Sequence, residues 1–168
     1  FAGNAAAYEM QLLKLHSEVF DLLQKIPEKQ RYLVTTHDAF RYFTRAYLSE
    51  PDERNNNTFW IRCQAPEGLA PDSQLSTHDI TRLLNHLVRY DIHCLFAESN
   101  ISQDSLKKLL DASRRQGHEM HIVTVPLYGD AMGGPGSDGD TYEKMVQHNA
   151  RIIDRELDPN NLVPGVDR

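Results

Sequence analysis

The sequence predicts an α/β fold: a doubly wound, four-stranded parallel sheet with helices on both faces, preceded by a long helix. Short apolar segments rich in β-branched residues alternate with segments of about ten to fifteen residues whose apolar positions recur at helical spacing. Such alternation is typical of parallel strands joined by helical crossovers. The 168 residues suit one domain, and 40% hydrophobic with 25% charged residues is the composition of a globular protein.

A long amphipathic helix is predicted from Asn4 to about Leu23, and Pro27 ends its pattern. Four strand-helix units follow it. The predicted strands are residues 31–36, 58–65, 92–99 and 120–127. The predicted helices are residues 37–48, 76–90, 102–116 and 141–157. Polar, turn-rich segments at 49–58, 66–74 and 129–140 are predicted to be loops, and the last ten residues, 159–168, a polar tail.

Composition excludes several classes of protein. The net charge of -6 would repel a phosphate backbone, so nucleic acid is not an expected partner. No apolar run is long enough to span a membrane. Cys63 and Cys94 both fall in predicted strands, which favours two buried thiols, while a disulfide between them remains open.

Candidate functional residues follow the strands, because ligands of parallel sheets bind where the carboxyl ends of the strands meet. These residues are His37 and Asp38, Glu67, Glu98 with Ser99 and Asn100, and Tyr128 with Gly129 and Asp130. Imidazole and carboxylate groups together suit manganese, iron or zinc. His37 and Asp130 are the pair that we predict to ligate such a metal.

Residue types alone leave other interpretations open. Asp38 is also suited to capping the next helix, and His37 with Glu98 would serve equally in the acid/base site of a metal-dependent or acid/base α/β enzyme. A flavodoxin-like binding domain is permitted on architecture. The glycine-rich segment 129–140 lacks the pattern of a phosphate loop and is predicted to be mobile. The remaining histidines show no ligand spacing and are expected at the surface or satisfied in the core: His16, His78, His86, His93, His118, His121 and His148.

Five segments in one order, NAAAYEMQLLKL, TTHDAFRYFTRAY, FAESN, VPLYGDAMG and DTYEKMVQHN, resemble the TroA-like metal-specific solute-binding proteins of ABC importers. The resemblance covers nearly the whole chain. It implies a protein with two lobes joined by a long helix, in which a metal is held between the lobes. Residues 1–27 then correspond to the end of the linking helix and 28–158 to the carboxy-terminal lobe, and the amino-terminal lobe with two further histidine ligands is expected to be absent from this chain.

The resemblance also implies roles for individual residues. His37 of TTHDAF stands where the family has its third ligand, and Asp130 of LYGD where it has its fourth, while Glu98 matches a family glutamate that supports the site. The expected cargo is manganese, zinc or iron, bound weakly by this half of the site, and the expected partner is an ABC permease. The implied location is periplasmic or otherwise extracytoplasmic, with a lipid anchor or secretion signal upstream. The segment APEGLAPDSQ departs from the acidic-proline stretch of the family.

Overall fold

The computed structural model describes residues 2–66 and 76–161. The α-helices are α1 (Ala2–Leu23), α2 (Arg41–Tyr47), α3 (Pro51–Asn55), α4 (Thr77–Arg89), α5 (Asp104–Arg115) and α6 (Tyr142–Leu157). The strands are β1 (Leu33–Val34), β2 (Cys63–Gln64), β3 (Cys94–Glu98) and β4 (His121–Leu127). Short 3-10 helices lie at Glu28–Gln30, Phe59–Arg62 and Pro159–Asn161.

The strands are parallel, as predicted. β1 pairs with β2 and β3 pairs with β4, and a parallel bridge from Thr35 to Phe96 joins the two pairs. The resulting order is β2-β1-β3-β4, with all carboxyl ends at one edge. β3 and β4 pair over most of their length, whereas β1 and β2 contribute two residues each.

Two hydrophobic cores cover the two faces of the sheet. On one face, α1, α2 and α6 pack over Leu33, Phe96 and Val123; on the other, α4 and α5 pack over Val34 and Leu95. All five residues of β3 are buried, because successive side chains point into opposite cores. The predicted α/β class with helices on both faces is therefore confirmed.

Two local predictions were wrong. The segment predicted as a loop at 49–58 contains α3, which begins with a capping box between Glu50 and Glu53 and with Pro51 at its first turn. The segment predicted as strand 58–65 begins as a 3-10 helix, because the buried Arg62 turns back to donate to the Glu28 carbonyl at 2.7 Å and to the Glu53 carboxylate at 2.5 Å. Residues 67–75 and 162–168 lie outside the described residues, and with them the candidate Glu67, most of the predicted loop at 66–74 and most of the predicted tail at 159–168.

Helix α1 is packed only along its second half. Leu15, Val19 and Leu23 are buried against the rest of the molecule, while residues 3–11 are exposed throughout. Cys63 and Cys94 are both buried, as the sequence interpretation expected. Within the described ranges, no helix has the length and apolar character needed to cross a membrane.

Candidate metal site

His37 lies two residues beyond the bridge that ties β1 to β3, at the carboxyl edge of the sheet. The turn that carries it is held by threonine hydroxyls. Thr35 Oγ1 donates to the His37 carbonyl at 2.7 Å, and Thr36 Oγ1 accepts from the Glu98 N–H at 3.3 Å. These contacts fix the backbone of His37 against the end of β3, so its side chain starts from a rigid position.

Glu98, the last residue of β3, lies directly behind the imidazole. Its Oε1 accepts from the His37 backbone N–H at 3.0 Å, and its Oε2 is 2.8 Å from His37 Nδ1. The Nδ1–Oε2 contact is close but poorly aligned as a hydrogen bond. The side chains of His37 and Glu98 are 3% and 0% exposed. Gly129 makes room for the carboxylate, since a Cβ there would lie 2.1 Å from Oε2.

Asp130 completes the cluster from the loop after β4. Its Oδ2 lies 2.8 Å from His37 Nε2, and its side chain is 67% exposed. The imidazole therefore has a buried carboxylate at one nitrogen and a solvent-facing carboxylate at the other. The site opens to solvent on the Asp130 side.

Asn149 of α6 positions the backbone that leads to Asp130. Its side-chain Oδ1 accepts from the Tyr128 N–H at 2.9 Å, and its Nδ2 donates to the Tyr128 carbonyl at 2.8 Å. Asn149 is buried, and the pair of bonds resembles the contact that a neighbouring strand would make. These two bonds fix the backbone of Tyr128, the first residue after β4, in the way that a paired strand would.

The glycine-rich loop that follows is closed on itself. The Gly133 N–H donates to the Gly139 carbonyl at 2.8 Å. A Cβ at either glycine would come within 3.0 Å of the Tyr128 ring, so glycine is needed there for close approach to the ring. These contacts tie the two ends of the segment together, and its mobility stays a prediction.

Protonation of His37 is favoured by its two carboxylates. Burial alone would lower its pKa, but the hydrogen bond with Asp130 and the charge of Glu98 outweigh burial, and the net pKa is raised above 6.5. The pKa of Glu98 is also raised, chiefly by burial, although its contacts with His37 oppose the shift. A divalent cation that displaced the proton between Nε2 and Oδ2 would meet one imidazole and one carboxylate ligand already side by side.

The structure thus brings together His37, Asp130 and Glu98 out of the residues predicted at the strand ends. Ser99 and Asn100 are exposed. Asp38 does not cap α2, whose N-cap is Phe40, and it pairs with Arg41 at 2.5 Å instead.

Sequence reasoning assigned no role to Asn149 or to the conformation of Gly129. Asn149 stands 19 residues beyond Asp130 in an ordinary helical pattern. An asparagine on the apolar face of a predicted helix is a signal that could have indicated a buried hydrogen-bonding role.

Known proteins resemble this chain over almost its whole length. A family model described as "Zinc-uptake complex component A periplasmic" matches residues 1–156. The zinc-binding protein TroA of Treponema pallidum is 35% identical over 91% of this chain and 46% of its own length. The manganese-binding lipoprotein MntA of Bacillus subtilis is 33% identical over 94% of this chain and 47% of its own length.

A crystal structure of Fe(III)-bound YtgA from Chlamydia trachomatis superposes with a TM-score of 0.84 at 38% identity. The superposition covers 94% of this chain and 52% of the YtgA chain. The chain spans about half the length of the curated relatives it matches.

Proposed function

The chain belongs to the ZnuA family of periplasmic zinc-uptake components, and from that membership we propose that it is the carboxy-terminal lobe of an extracytoplasmic metal receptor. The receptor would capture a divalent transition metal and deliver it to an ABC importer. Relatives described as binding zinc and manganese, and one solved with iron, indicate the range of cargo. An ABC permease is the corresponding partner.

The observation that carries the proposal is the 2.8 Å approach of His37 Nε2 to Asp130 Oδ2 at the open edge of the sheet. We assign these two atoms as metal ligands. Nitrogen and oxygen ligands of one metal, with bonds of about 2.1 Å, lie roughly 3 Å apart, so little movement is needed. Glu98 would hold Nδ1 and thereby keep Nε2 directed at the metal, as carboxylates behind metal-bound histidines commonly do.

Two protein ligands from one lobe give a weak site, so a second lobe is expected to supply the remainder. The exposed first half of α1 supports this expectation. Tyr8, Met10 and Leu13 are 45%, 72% and 60% exposed. Tyr8 and Leu13 line a groove together with Tyr47 and Tyr142. We propose that this apolar surface packs against the other lobe of the same protein.

The position of that surface fits a site shared between lobes. α6 begins with Tyr142 directly after the loop that carries Asp130, so the groove lies at the same end of the molecule as the ligands. A metal bound from both sides would favour the closed arrangement of the lobes, because each lobe alone offers it too few ligands. A permease that separates the lobes would then release the cargo.

The alternative of a metal-dependent or acid/base α/β enzyme gains no support from the relatives. The family and the three relatives named above are metal-binding or metal-uptake proteins, and none of them is described as an enzyme. The proximity of His37 to Glu98 is explained if Glu98 orients the imidazole of His37 toward the metal.

The proposal is tested by calorimetric titration of Mn²⁺, Zn²⁺ and Fe²⁺ into two proteins. One is this chain, and the other is a longer form that carries an amino-terminal lobe upstream of residue 1. We expect weak binding by the chain and tight binding by the extended form. His37→Ala and Asp130→Ala should each weaken tight binding by at least about a hundredfold, since each removes a direct ligand. His78→Ala and Asp138→Ala, which alter exposed residues of the same types, are the matched controls.

Tight binding that survived both ligand variants would show that His37 and Asp130 are not the site. Equal affinity of the chain and its extended form would show that no second lobe completes the site.

A further inference from the structure

A second group of metal-ligating side chains lies at the opposite, amino edge of the sheet. Asp91 and His93 precede β3, and His118 precedes β4. Each of the three residues offers one nitrogen or oxygen atom that could bind a metal, and these three atoms all lie within 4.8 Å of one another. In sequence His118 is 25 residues from His93, and the pairing of β3 with β4 brings the two together.

The backbone at this edge is fixed by two matching helix ends. After α4, the Ile92 N–H donates to the Leu87 carbonyl at 2.9 Å and Asp91 has a φ of +53°. After α5, the His118 N–H donates to the Ser113 carbonyl at 3.2 Å and Gly117 has a φ of +75°. Both are Schellman motifs, in which a left-handed residue follows the last helical turn. The three side chains therefore project from ordered positions, not from free loops.

Hydrogen bonds to backbone carbonyls set the tautomer of each histidine. His93 Nδ1 lies 2.8 Å from the Glu119 carbonyl oxygen, and His118 Nε2 lies 2.8 Å from the Ile92 carbonyl oxygen. A carbonyl oxygen can only accept, so each of these nitrogens carries the proton. In the neutral rings, Nε2 of His93 and Nδ1 of His118 are left with lone pairs. Metal-bound histidines are held in this same way by their other nitrogen.

The contact between His93 and Asp91 requires either a proton on His93 Nε2 or a metal cation between the two groups. His93 Nε2 lies 2.9 Å from Asp91 Oδ1. In the neutral ring this contact places a lone pair against a carboxylate oxygen, two acceptors that repel each other. A divalent metal between them would turn the contact into coordination at a suitable ligand spacing.

We propose that Asp91, His93 and His118 form a second divalent transition-metal site that is complete within this chain. Two imidazoles and one carboxylate suit Zn²⁺, and water would fill its fourth position. The rings of His93 and His118 are 4.8 Å apart between centroids, so the side chains, which are exposed or partly exposed, must move closer together to close the set around an ion.

The surroundings favour a cation at this edge. α4 and α5 both end here, and the carbonyl ends of helices carry partial negative charge. A cavity of about 430 Å³ that Asp91 and His93 help to line leaves room for bound water. From His93 to Glu98 the chain advances five residues along β3, or about 17 Å, so this site is separate from that of His37 and Asp130.

The site is tested with Zn²⁺ alone, by calorimetry on the full chain carrying His37→Ala and Asp130→Ala. We expect this double variant to retain one Zn²⁺ equivalent. Adding Asp91→Asn or His118→Ala should then weaken binding by at least about tenfold, because each removes a direct ligand. His78→Ala is the matched histidine control and should leave the affinity unchanged.

A second measurement uses the unmutated chain, so that it does not depend on how a variant folds. Long-range ¹H–¹⁵N spectra during Zn²⁺ titration should shift Nε2 of His93 and Nδ1 of His118, while the nitrogens bonded to carbonyls keep their protons. Loss of all Zn²⁺ binding in the double variant, or shifts confined to other histidines, would overturn the proposal.

Discussion

The two edges of the sheet hold their histidines by different means. At the carboxyl edge, His37 is buried and a buried carboxylate, Glu98, lies behind it. At the amino edge, the His93 side chain is 42% exposed and its ring is held by a backbone carbonyl. The first arrangement places a carboxylate in the interior, and the second combines a backbone carbonyl with the exposed carboxylate of Asp91.

The difference shows what each edge can do alone. A buried carboxylate raises the basicity of His37 and holds it for a metal, but the site opens toward a space where further ligands are needed. The amino edge draws all three of its proposed ligands from one pair of loops. A split site makes loading depend on a second body, whereas a self-contained site does not. Four experiments, in order of decreasing effect, sharpen or break this contrast.

The largest effect is expected from Gly129→Ala. The new Cβ would lie 2.1 Å from Glu98 Oε2, and the carboxylate is fully buried and cannot simply swing away. We expect a loss of about 2 to 3 kcal/mol in the free energy of unfolding, measured by urea denaturation. Gly134→Ala, in the same loop but with open space around its Cβ position, is the control and should change stability by less than about 0.5 kcal/mol. Equal costs for the two variants would show that Glu98 is not tightly confined.

Glu98→Gln should weaken metal binding at the carboxyl edge while keeping the volume of the side chain. An amide in place of the carboxylate no longer raises the basicity of His37. Its N–H group can also donate to Nδ1, which favours the tautomer with the proton on Nε2, the nitrogen that should bind the metal. We expect a loss of about tenfold to a hundredfold in affinity, as for other residues behind metal-bound histidines. Calorimetry on the extended, two-lobed form measures it. Glu156→Gln, which alters the partner of His121 at the opposite, amino edge of the sheet, is the control.

The two edges should respond to pH in opposite directions. The pKa of His37 is raised above 6.5, so its stabilising contribution is complete below pH 6.5 and is lost as pH rises through the folded-state pKa. His86, packed against Tyr32 and Tyr90 near the amino edge, has a pKa lowered by burial to about 4. Its contribution is complete above pH 6.5 and is lost as pH falls toward 4.

Each effect should appear as a change in the free energy of unfolding with pH, in the direction set by the pKa shift of the histidine. Urea unfolding of the metal-free chain from pH 4 to 8 measures both. His37→Gln should remove the decline at high pH, and His86→Gln the decline at low pH. A decline that persisted in the matching variant would mean that another group causes it.

The smallest effect is expected at Asp91. Its backbone is left-handed with a φ of +53°, which asparagine tolerates about as well as aspartate and alanine does not. Asp91→Asn should leave the free energy of unfolding within about 0.5 kcal/mol, and Asp91→Ala should cost about 1 kcal/mol. Thermal unfolding of the metal-free variants distinguishes them. Equal stability of the two variants would show that the Schellman motif does not hold this edge rigidly.

The sequence allowed the carboxyl edge to be predicted because strand ends can be located from hydrophobic patterns. Once the strands were placed, His37, Glu98 and Asp130 were expected to converge at one edge, and the structure brings them together. The roles of His37 and Asp130 as ligands stay predictions. The meeting of His93 and His118 at the amino edge was not predicted, because ligands were expected only beyond the carboxyl ends of the strands.

The two errors in secondary structure have different causes, one local and one tertiary. The signal for α3 was present in Glu50, Pro51 and Glu53 but was outweighed by the polar composition of its segment. The turn at Phe59–Arg62 depends on tertiary contacts of Arg62 with Glu28 and Glu53, which no local pattern contains. Loop closure around Tyr128 likewise depends on Asn149 from another element.

The two hydrogen bonds between Asn149 and the Tyr128 backbone affect the entropy change of metal binding. Ordering the backbone of a residue costs about 1 to 2 kcal/mol, so a loop that became ordered only when metal arrived would lose affinity for each residue it fixed. Here two hydrogen bonds from Asn149 hold the backbone of Tyr128, two residues before Asp130, and neither bond involves a metal ligand. The rate of metal exchange should then be set by how fast the surroundings of the site open, and not by refolding of the loop that carries the ligand.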